Sequence, residues 1–323
     1  MPYGGPPALT LTRAFTEWTF DPWALLIVLV LGGGYAAGMR AVRRRGERWP
    51  VARPIWFYLL GIGPFVLATM AWVGTYQSVL FYARATQTVL LVLVVPLFLA
   101  MGRPISLAIA AVPGVAPRIE AVIGSRVAKL LMFPAVTTFA LVVVPFVMYF
   151  TPWYTASFHS TAVRVLTYLA LMTPGYAFFW TLLRVDPVPK RYSYAVSMWI
   201  TGAEVIGDAI LGLAVIADNS LIGAAWYQAL NRPWGASLRT DQVVGGGVLW
   251  VLGDVVGLPF LAAQLIQLMR EDESDAVRID AELDAKDAER TVVTEAGAEE
   301  PVPDRPWWES DSRFTDRFKP ADH

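Results

Sequence analysis

The sequence predicts an all-α protein that crosses a membrane seven times, and three observations lead to this fold class. The 323-residue chain is 55% hydrophobic and only 16% charged, whereas soluble domains carry about 25% charged residues. Seven stretches are apolar over the ~20 residues that a helix needs to span a bilayer. The acidic residues are concentrated at one end, since 17 of the 27 follow Met269.

The predicted spans divide the chain into three regions. The spans are residues 20–39, 55–74, 80–101, 130–150, 161–183, 192–216 and 243–268. An N-terminal segment, 1–19, precedes the seven-helix domain, 20–268, and an acidic, largely disordered tail follows it at 269–323. The first residues of the tail could form a short charged helix, and its Trp307–Trp308 pair is a candidate docking spot.

Basic residues sort the connecting segments into two groups. Thirteen Lys and Arg residues lie in the connectors after the first, third and fifth spans, whereas the remaining segments contain Arg13, Arg232 and Arg239. Because Lys and Arg accumulate on the cytoplasmic side of a membrane, the pattern predicts a multi-pass protein of the cell membrane. Its N-terminus is expected outside and its tail in the cytoplasm.

Two connectors are longer than turns. Residues 102–129 combine spaced apolar residues with flanking bases, which predicts an interfacial helix on the cytoplasmic face. Residues 217–242 are rich in Trp, Pro and Asn and are expected to form an outer lid. Its candidate site residues are Trp226, Tyr227, Asp241 and Gln242.

The informative ionisable residues inside the spans are Arg84, Arg164, Glu204, Asp208 and Asp254. Each would cost at least about 2.5 kcal/mol if it faced lipid, so each is expected to face the bundle interior and a partner. We predict an outward-facing cluster of Arg84, Arg164, Glu204 and Asp208, with Asp254 deeper. Such a cluster could be a structural ion-pair network, a proton or ion pathway, or a partner or cofactor contact.

The composition also weighs against several classes of function. The chain has no cysteine, which excludes disulfides and thiolate metal sites. It shows no nucleophile–His pair, metal triad or phosphate-binding loop, so we expect no enzymatic activity. The arginine run at 43–45 follows from membrane topology and does not indicate binding to nucleic acid.

Several stretches, in this order and spacing, resemble the CtaG-type cytochrome c oxidase assembly factors, in their actinobacterial branch. They run from the first basic loop to the start of the tail and include RRRGERWP, FYARATQTVLLVLVVPLFLAMGRPISLA, YFTPWYTASFHS, GYAFFWTLLRVDPVPKR, WYQALNRPW, RTDQVVGGGVLWVLGD and LMREDESDA. The resemblance implies a seven-helix membrane fold and a role linked to copper insertion into the oxidase. It also implies that the partners are oxidase subunits or other assembly factors.

The chain departs from the family pattern where the family has histidines. The family's His-x-x-Gln-His element aligns with residues 84–88, so Gln87 is retained whereas Arg84 and Thr88 replace the imidazoles. A helix-five histidine falls on Arg164, and another on Tyr168 or Ala170. The helix-six polar position is Asp208, and the acidic position of helix seven is kept as Asp254.

These replacements bear on copper. Imidazole is a usual copper ligand, whereas a guanidinium has no lone pair to donate and its charge repels a cation. We therefore expect no copper site in the family's position and no cofactor. The weak candidates for a remnant copper site are His159, Met70, Met148 and Met172.

Three functions remain open from the sequence. The first is a membrane assembly factor for cytochrome c oxidase that holds a subunit or chaperone without binding copper through the histidine site. The second is a copper carrier that uses Met ligands. The third is a small transporter or proton-coupled carrier that uses the buried carboxylates.

Overall fold

The computed structural model describes residues 3–190 and 192–295, with only the backbone described at 194, 271–272, 274–275 and 287–295. Within these residues the secondary structure is helical, and no strand occurs. The chain divides into two compact units, Met1–Leu265 and Ile266–His323. The prediction of an all-α polytopic membrane protein is confirmed.

Seven helices correspond to the seven predicted spans. They are helix one (Pro22–Arg44), helix two (Ala52–Tyr76), helix three (Phe81–Ala111), helix four (Pro134–Phe150), helix five (Thr161–Leu183), helix six (Tyr194–Ala217) and helix seven (Leu238–Glu295). Six of them are each long and apolar enough to cross a membrane. Helix four passes the same test of length and composition only together with Trp153–His159, which follows after a 73° bend, so the described residues contain six candidate spans, or seven if this bent pair is one span.

Prolines shape the helices of the core. Helices two and three each contain a wide π-helical segment, Trp56–Ile62 and Leu90–Val94, and each segment is followed within two residues by a proline. Proline lacks the amide hydrogen that would continue the α-helical bonding, and π-bulges often accommodate such a break. Helices two, three and five are the most buried, whereas helices one and seven are the least.

The predicted interfacial helix over 102–129 is instead broken into short helices. Pro104–Ala111 ends helix three after a turn at Arg103, and Ala116–Ile123 and Arg126–Leu131 follow. Gly114 has a positive φ of 73°, a backbone conformation that glycine adopts without steric cost. Pro113–Gly114 and Gly124–Ser125 therefore interrupt the amphipathic pattern.

Helix seven continues through the first part of the acidic segment as far as Glu295. The charged residues after Met269 are thus helical, as the sequence suggested for a short stretch, and not disordered up to that point. The rest of the predicted tail, including the Trp307–Trp308 pair, lies outside the described residues. The predicted orientation of the termini remains a prediction.

Candidate functional site

Arg84 lies at the centre of one end of the helix bundle, which we call the lid end because residues 217–242 connect helices six and seven there. Its side chain is 1% exposed. The guanidinium donates to Gln77 Oε1 at 3.0 Å and Gln87 Oε1 at 2.6 Å. It also donates to Ser157 Oγ at 2.9 Å and contacts Met148 Sδ at 3.5 Å. Neutral groups thus surround the cation.

The predicted cluster of Arg84, Arg164, Glu204 and Asp208 does not form in the structure. Among the described residues, no carboxylate lies within 4.0 Å of Arg84. The structure does bring Arg84 and Gln87 into contact. Both residues belong to the segment that the resemblance aligns with the His-x-x-Gln-His element. The cation is compensated by amide and hydroxyl dipoles and by aromatic rings, not by the acids of helix six.

Aromatic side chains line the space beside Arg84. The guanidinium carbon lies 5.3 Å from the ring centroid of Phe158 and 5.8 Å from that of Tyr154, within the range of cation–π attraction. The Tyr154 hydroxyl is bonded to that of Tyr227 at 2.8 Å, and Tyr149 bonds to Thr88 at 3.0 Å. Tyr149, Tyr154 and Tyr227 in the interior of the lid end thus already have hydrogen-bond partners, whereas Arg84 Nε is buried without one.

Arg164 pairs with Asp21, a residue that the sequence analysis did not select. Its Nε lies 3.2 Å from Asp21 Oδ2, and the same carboxylate accepts from the Tyr168 hydroxyl at 3.4 Å. Asp21 Oδ1 accepts from the amides of Trp23 and Ala24, so Asp21 also caps helix one. The Asp21–Pro22 dipeptide is a typical helix start and could have identified this partner.

We expect Asp21→Ala to lower the free energy of unfolding by about 1–2 kcal/mol, because it removes the cap of helix one and a buried ion partner. Arg164→Ala should cost less, since the Arg164 side chain is 27% exposed and Asp21 keeps its hydrogen bonds to the amides of Trp23 and Ala24. Thermal unfolding of both variants and of the double variant in detergent checks this expectation. Strictly additive effects would show that the two side chains do not interact.

Asp241 holds the lid to the start of helix three. Its two carboxylate oxygens each accept one backbone amide at 3.1 Å, from Phe81 and Tyr82. Helix three has no capping side chain of its own at Leu80, so Asp241 supplies the cap from a distant part of the chain. Asp241 also pairs with Arg232 at 3.3 Å, and both side chains are almost fully buried.

Gln242 and Trp226 add further contacts to the lid. Gln242 donates to the backbone carbonyls of Val215, Asp218 and Ser220 and accepts from the amide of Ile222, which satisfies the end of helix six. Trp226 donates to the Ser78 carbonyl at 2.7 Å. The four predicted lid residues therefore all bind the lid to the bundle, which makes the lid a fixed part of the domain.

Three acids, which belong to helices six and seven, lie together between these helices, away from Arg84. We call Glu204, Asp208 and Asp254 the acid seam. Glu204 is 1% and Asp208 8% exposed. Glu204 Oε1 and Asp254 Oδ1 have no hydrogen-bond partner. The structure thus brings these three predicted site residues together and separates them from the two arginines.

The four candidate metal ligands lie in different surroundings. Met148 contacts Arg84, whereas Met172 lines an apolar cavity of about 690 Å³ between helices one, three and five. Met70 is buried at a break in helix two. His159 is exposed and its ring meets the Trp226 ring edge-on at 4.8 Å. Met148 therefore lies beside the Arg84 guanidinium, and the other three candidates lie in separate surroundings.

A further carboxylate fastens the opposite end, which we call the basic end because it contains the arginine-rich connectors. Asp186 accepts from the amides of Ile105 and Ser106 at 3.2 and 2.9 Å and from the Ser106 hydroxyl. Burial raises the pKa of Asp186 above the ordinary value, and the Ser106 hydrogen bonds oppose that shift. Sequence reasoning missed Asp186 because a polar residue in a loop gives no sign of the helix it caps.

The comparisons with known proteins agree with the resemblance. A family model described as cytochrome c oxidase caa3 assembly factor matches residues 33–271. Uncharacterised proteins of Mycobacterium bovis and Mycobacterium tuberculosis are each 31% identical over 292 residues, and one of Mycobacterium leprae is 30% identical over 291. Each alignment covers 88% of this chain, which spans only 44% of the length of these curated relatives. No solved structure matches the chain.

The match takes in the buried Arg84, the lid and the acid seam, together with all of helices two to six. It extends over most of the helical domain and ends close to Met269, where the predicted tail begins. The chain belongs to the caa3-type cytochrome c oxidase assembly factor family.

Proposed function

We propose that this protein assists the assembly of cytochrome c oxidase by holding an oxidase subunit or another assembly factor, without binding copper in the interior of its lid end. It works as a non-catalytic protein of the cell membrane, with the lid end outside and the basic end in the cytoplasm. The seven-helix domain provides the scaffold, and the helical acidic segment extends from it.

The buried guanidinium of Arg84 is the observation that carries this proposal. It occupies the position at which the resemblance places an imidazole, and it engages Gln77, Gln87, Ser157 and Met148. A metal ion there would have to displace a cation that cannot lose its proton. Met148, a soft ligand beside this position, is itself in contact with the guanidinium.

Features of the lid end favour contact with a protein. The lid is held by Asp241, Gln242 and Trp226, so it presents a fixed surface. The neighbouring N-terminal segment exposes large apolar side chains, with Leu11 87%, Phe15 81% and Phe20 71% exposed. Exposed apolar side chains at a membrane boundary bind either lipid or the apolar surface of another membrane protein.

The proposal is tested in a strain that lacks this gene, grown with and without added copper. We expect the haem a absorbance band and the oxidase activity of its membranes to fall, and added copper not to restore them. Restoration by copper would contradict the metal-free role and favour a carrier that uses Met ligands. Unchanged oxidase would contradict the assembly role itself.

A further inference from the structure

The acid seam is a group of buried acids in the described spans that has no basic partner and contributes neither to the lid nor to the surroundings of Arg84. Glu204 and Asp208 are four residues apart and share a face of helix six. Their carboxyl groups lie within hydrogen-bonding range of each other, and Asp254 of helix seven is close enough to interact with both. Glu204 is 1% exposed, and its Oε1 is buried without a hydrogen-bond partner.

Two glycines of helix seven make room for these carboxyl groups. A Cβ atom at Gly253 would lie 2.6 Å from Asp208 Oδ2, and one at Gly257 would lie 3.4 Å from Glu204 Oε2. Any larger residue at Gly253 would displace the Asp208 side chain. The backbone of helix seven therefore lies directly against the pair, whose side chains are almost fully buried.

No cation compensates the seam. In the described part of the chain, no Lys, Arg or His lies within 4.0 Å of these carboxyl groups. Helix four packs against the same helix at Gly207, where Val142 faces it, and its one titratable residue, Tyr149, is bonded to Thr88. The groups that face the pair are therefore acids and apolar side chains.

Two carboxylates this close cannot both remain ionised where water is excluded, and the usual solution is that they share a proton. We propose that the acid seam is a proton-binding site, in which Glu204 and Asp208 hold one proton between them at neutral pH. The shared proton converts two repelling groups into a hydrogen-bonded pair. The site goes beyond the proposed assembly function and does not depend on it.

Buried polar residues connect this site with the basic end. Thr201 and Gln264 hydrogen-bond across helices six and seven at 3.0–3.2 Å. Thr201 also donates to the Ser197 carbonyl, and the Ser197 hydroxyl accepts from Arg184. These residues continue the acidic face of helix six toward the basic end, so the proton is expected to exchange with water on that side.

Infrared spectroscopy of the purified full chain tests the site. At neutral pH the wild-type protein should show the carbonyl stretch of a protonated carboxylic acid. Glu204→Gln and Asp208→Asn should each shift or weaken this band, and the double variant should lose it. Glu120→Gln, a substitution of an exposed acid, should leave the band unchanged and serves as the matched control.

Three results would overturn the proposal. The first is the absence of the band in the wild-type protein, and the second is its persistence in the double variant. The third is a band that develops only when sodium and other metal cations are removed, since a metal ion would then occupy the seam.

Deuterium exchange of the same band tests the route to the site. Gln264→Leu should keep the band and slow its exchange after transfer to heavy water. Gln228→Leu, an exposed substitution in the lid, should exchange at the wild-type rate. Slower exchange in Gln228→Leu alone would place the access at the lid end and contradict the route.

Discussion

Arg84→Ala is expected to destabilise the protein by roughly 2–4 kcal/mol, because it removes a large buried side chain and leaves several polar groups without partners. The guanidinium is the shared donor for Gln77, Gln87 and Ser157, and alanine can replace none of these bonds. The loss of a buried charge offsets part of this cost. Unfolding in detergent, followed by Trp fluorescence, measures the difference.

Arg84→Lys distinguishes the contribution of the positive charge to stability from that of the hydrogen-bonding geometry of the guanidinium. Lysine keeps the positive charge but is a compact donor that cannot reach groups on both sides as the planar guanidinium does, so it should recover only part of the lost stability. Arg118→Ala, at an exposed position, should change stability by no more than about 0.5 kcal/mol and is the control. An Arg84→Ala protein as stable as wild type would contradict the described network.

Asp241→Ala is expected to have a comparable or larger effect, about 3–5 kcal/mol, because it leaves Arg232 buried without its partner. It also removes the cap of helix three at Phe81 and Tyr82. Asp241→Asn preserves the size of the side chain but not its charge, and should fall between Asp241→Ala and wild type. Thermal unfolding and limited proteolysis of the lid measure the two effects.

Asp218 provides the matched control within the same lid. Its side chain bonds only to Ser220, at an exposed position, so Asp218→Ala should change stability by about 0.5 kcal/mol or less. Equal losses of stability in the Asp241 and Asp218 variants would mean that any substitution in the lid destabilises it. The specific cap and ion pair would then not explain its attachment.

The spans could be predicted because their signal is local. Twenty apolar residues in a row have few alternatives to a membrane helix, and each predicted span has a counterpart in the structure. The failure over residues 102–129 is also local, since Pro113–Gly114 and Gly124–Ser125 interrupt the amphipathic pattern. Because Pro and Gly are frequent in turns, these residues could have predicted that the segment divides into short helices.

The partners of the buried charges could not be predicted because they depend on how each helix is rotated. Hydropathy places Arg84 and Glu204 inside the bundle but does not decide which side chains face each other. The sequence led us to expect that the arginines pair with Glu204 and Asp208. In the structure, neutral groups surround Arg84, and Arg164 pairs with Asp21. Asp241 capping helix three is a similar case, because its partners are 160 and 159 residues away in the sequence.

The acid seam contains only part of the expected cluster. The spacing of Glu204 and Asp208 put them on one face of helix six, and in the structure Asp254 of helix seven interacts with them. The expected arginines do not reach these acids: among the described residues none lies within 4.0 Å of them, and Gly253 and Gly257 of helix seven lie against Asp208 and Glu204 instead. The two glycines are visible in the sequence, but their contact with the acids becomes apparent only when helices six and seven are seen to pack together.

The measurement that tests the central claim most directly is the copper content of the purified full chain after incubation with reduced copper and removal of the excess. With Arg84 in the interior of the lid end, we expect no bound copper beyond that of an unrelated membrane protein prepared in parallel. One tightly bound copper ion per chain, lost on Met148→Leu but not on Met269→Leu, would contradict the account.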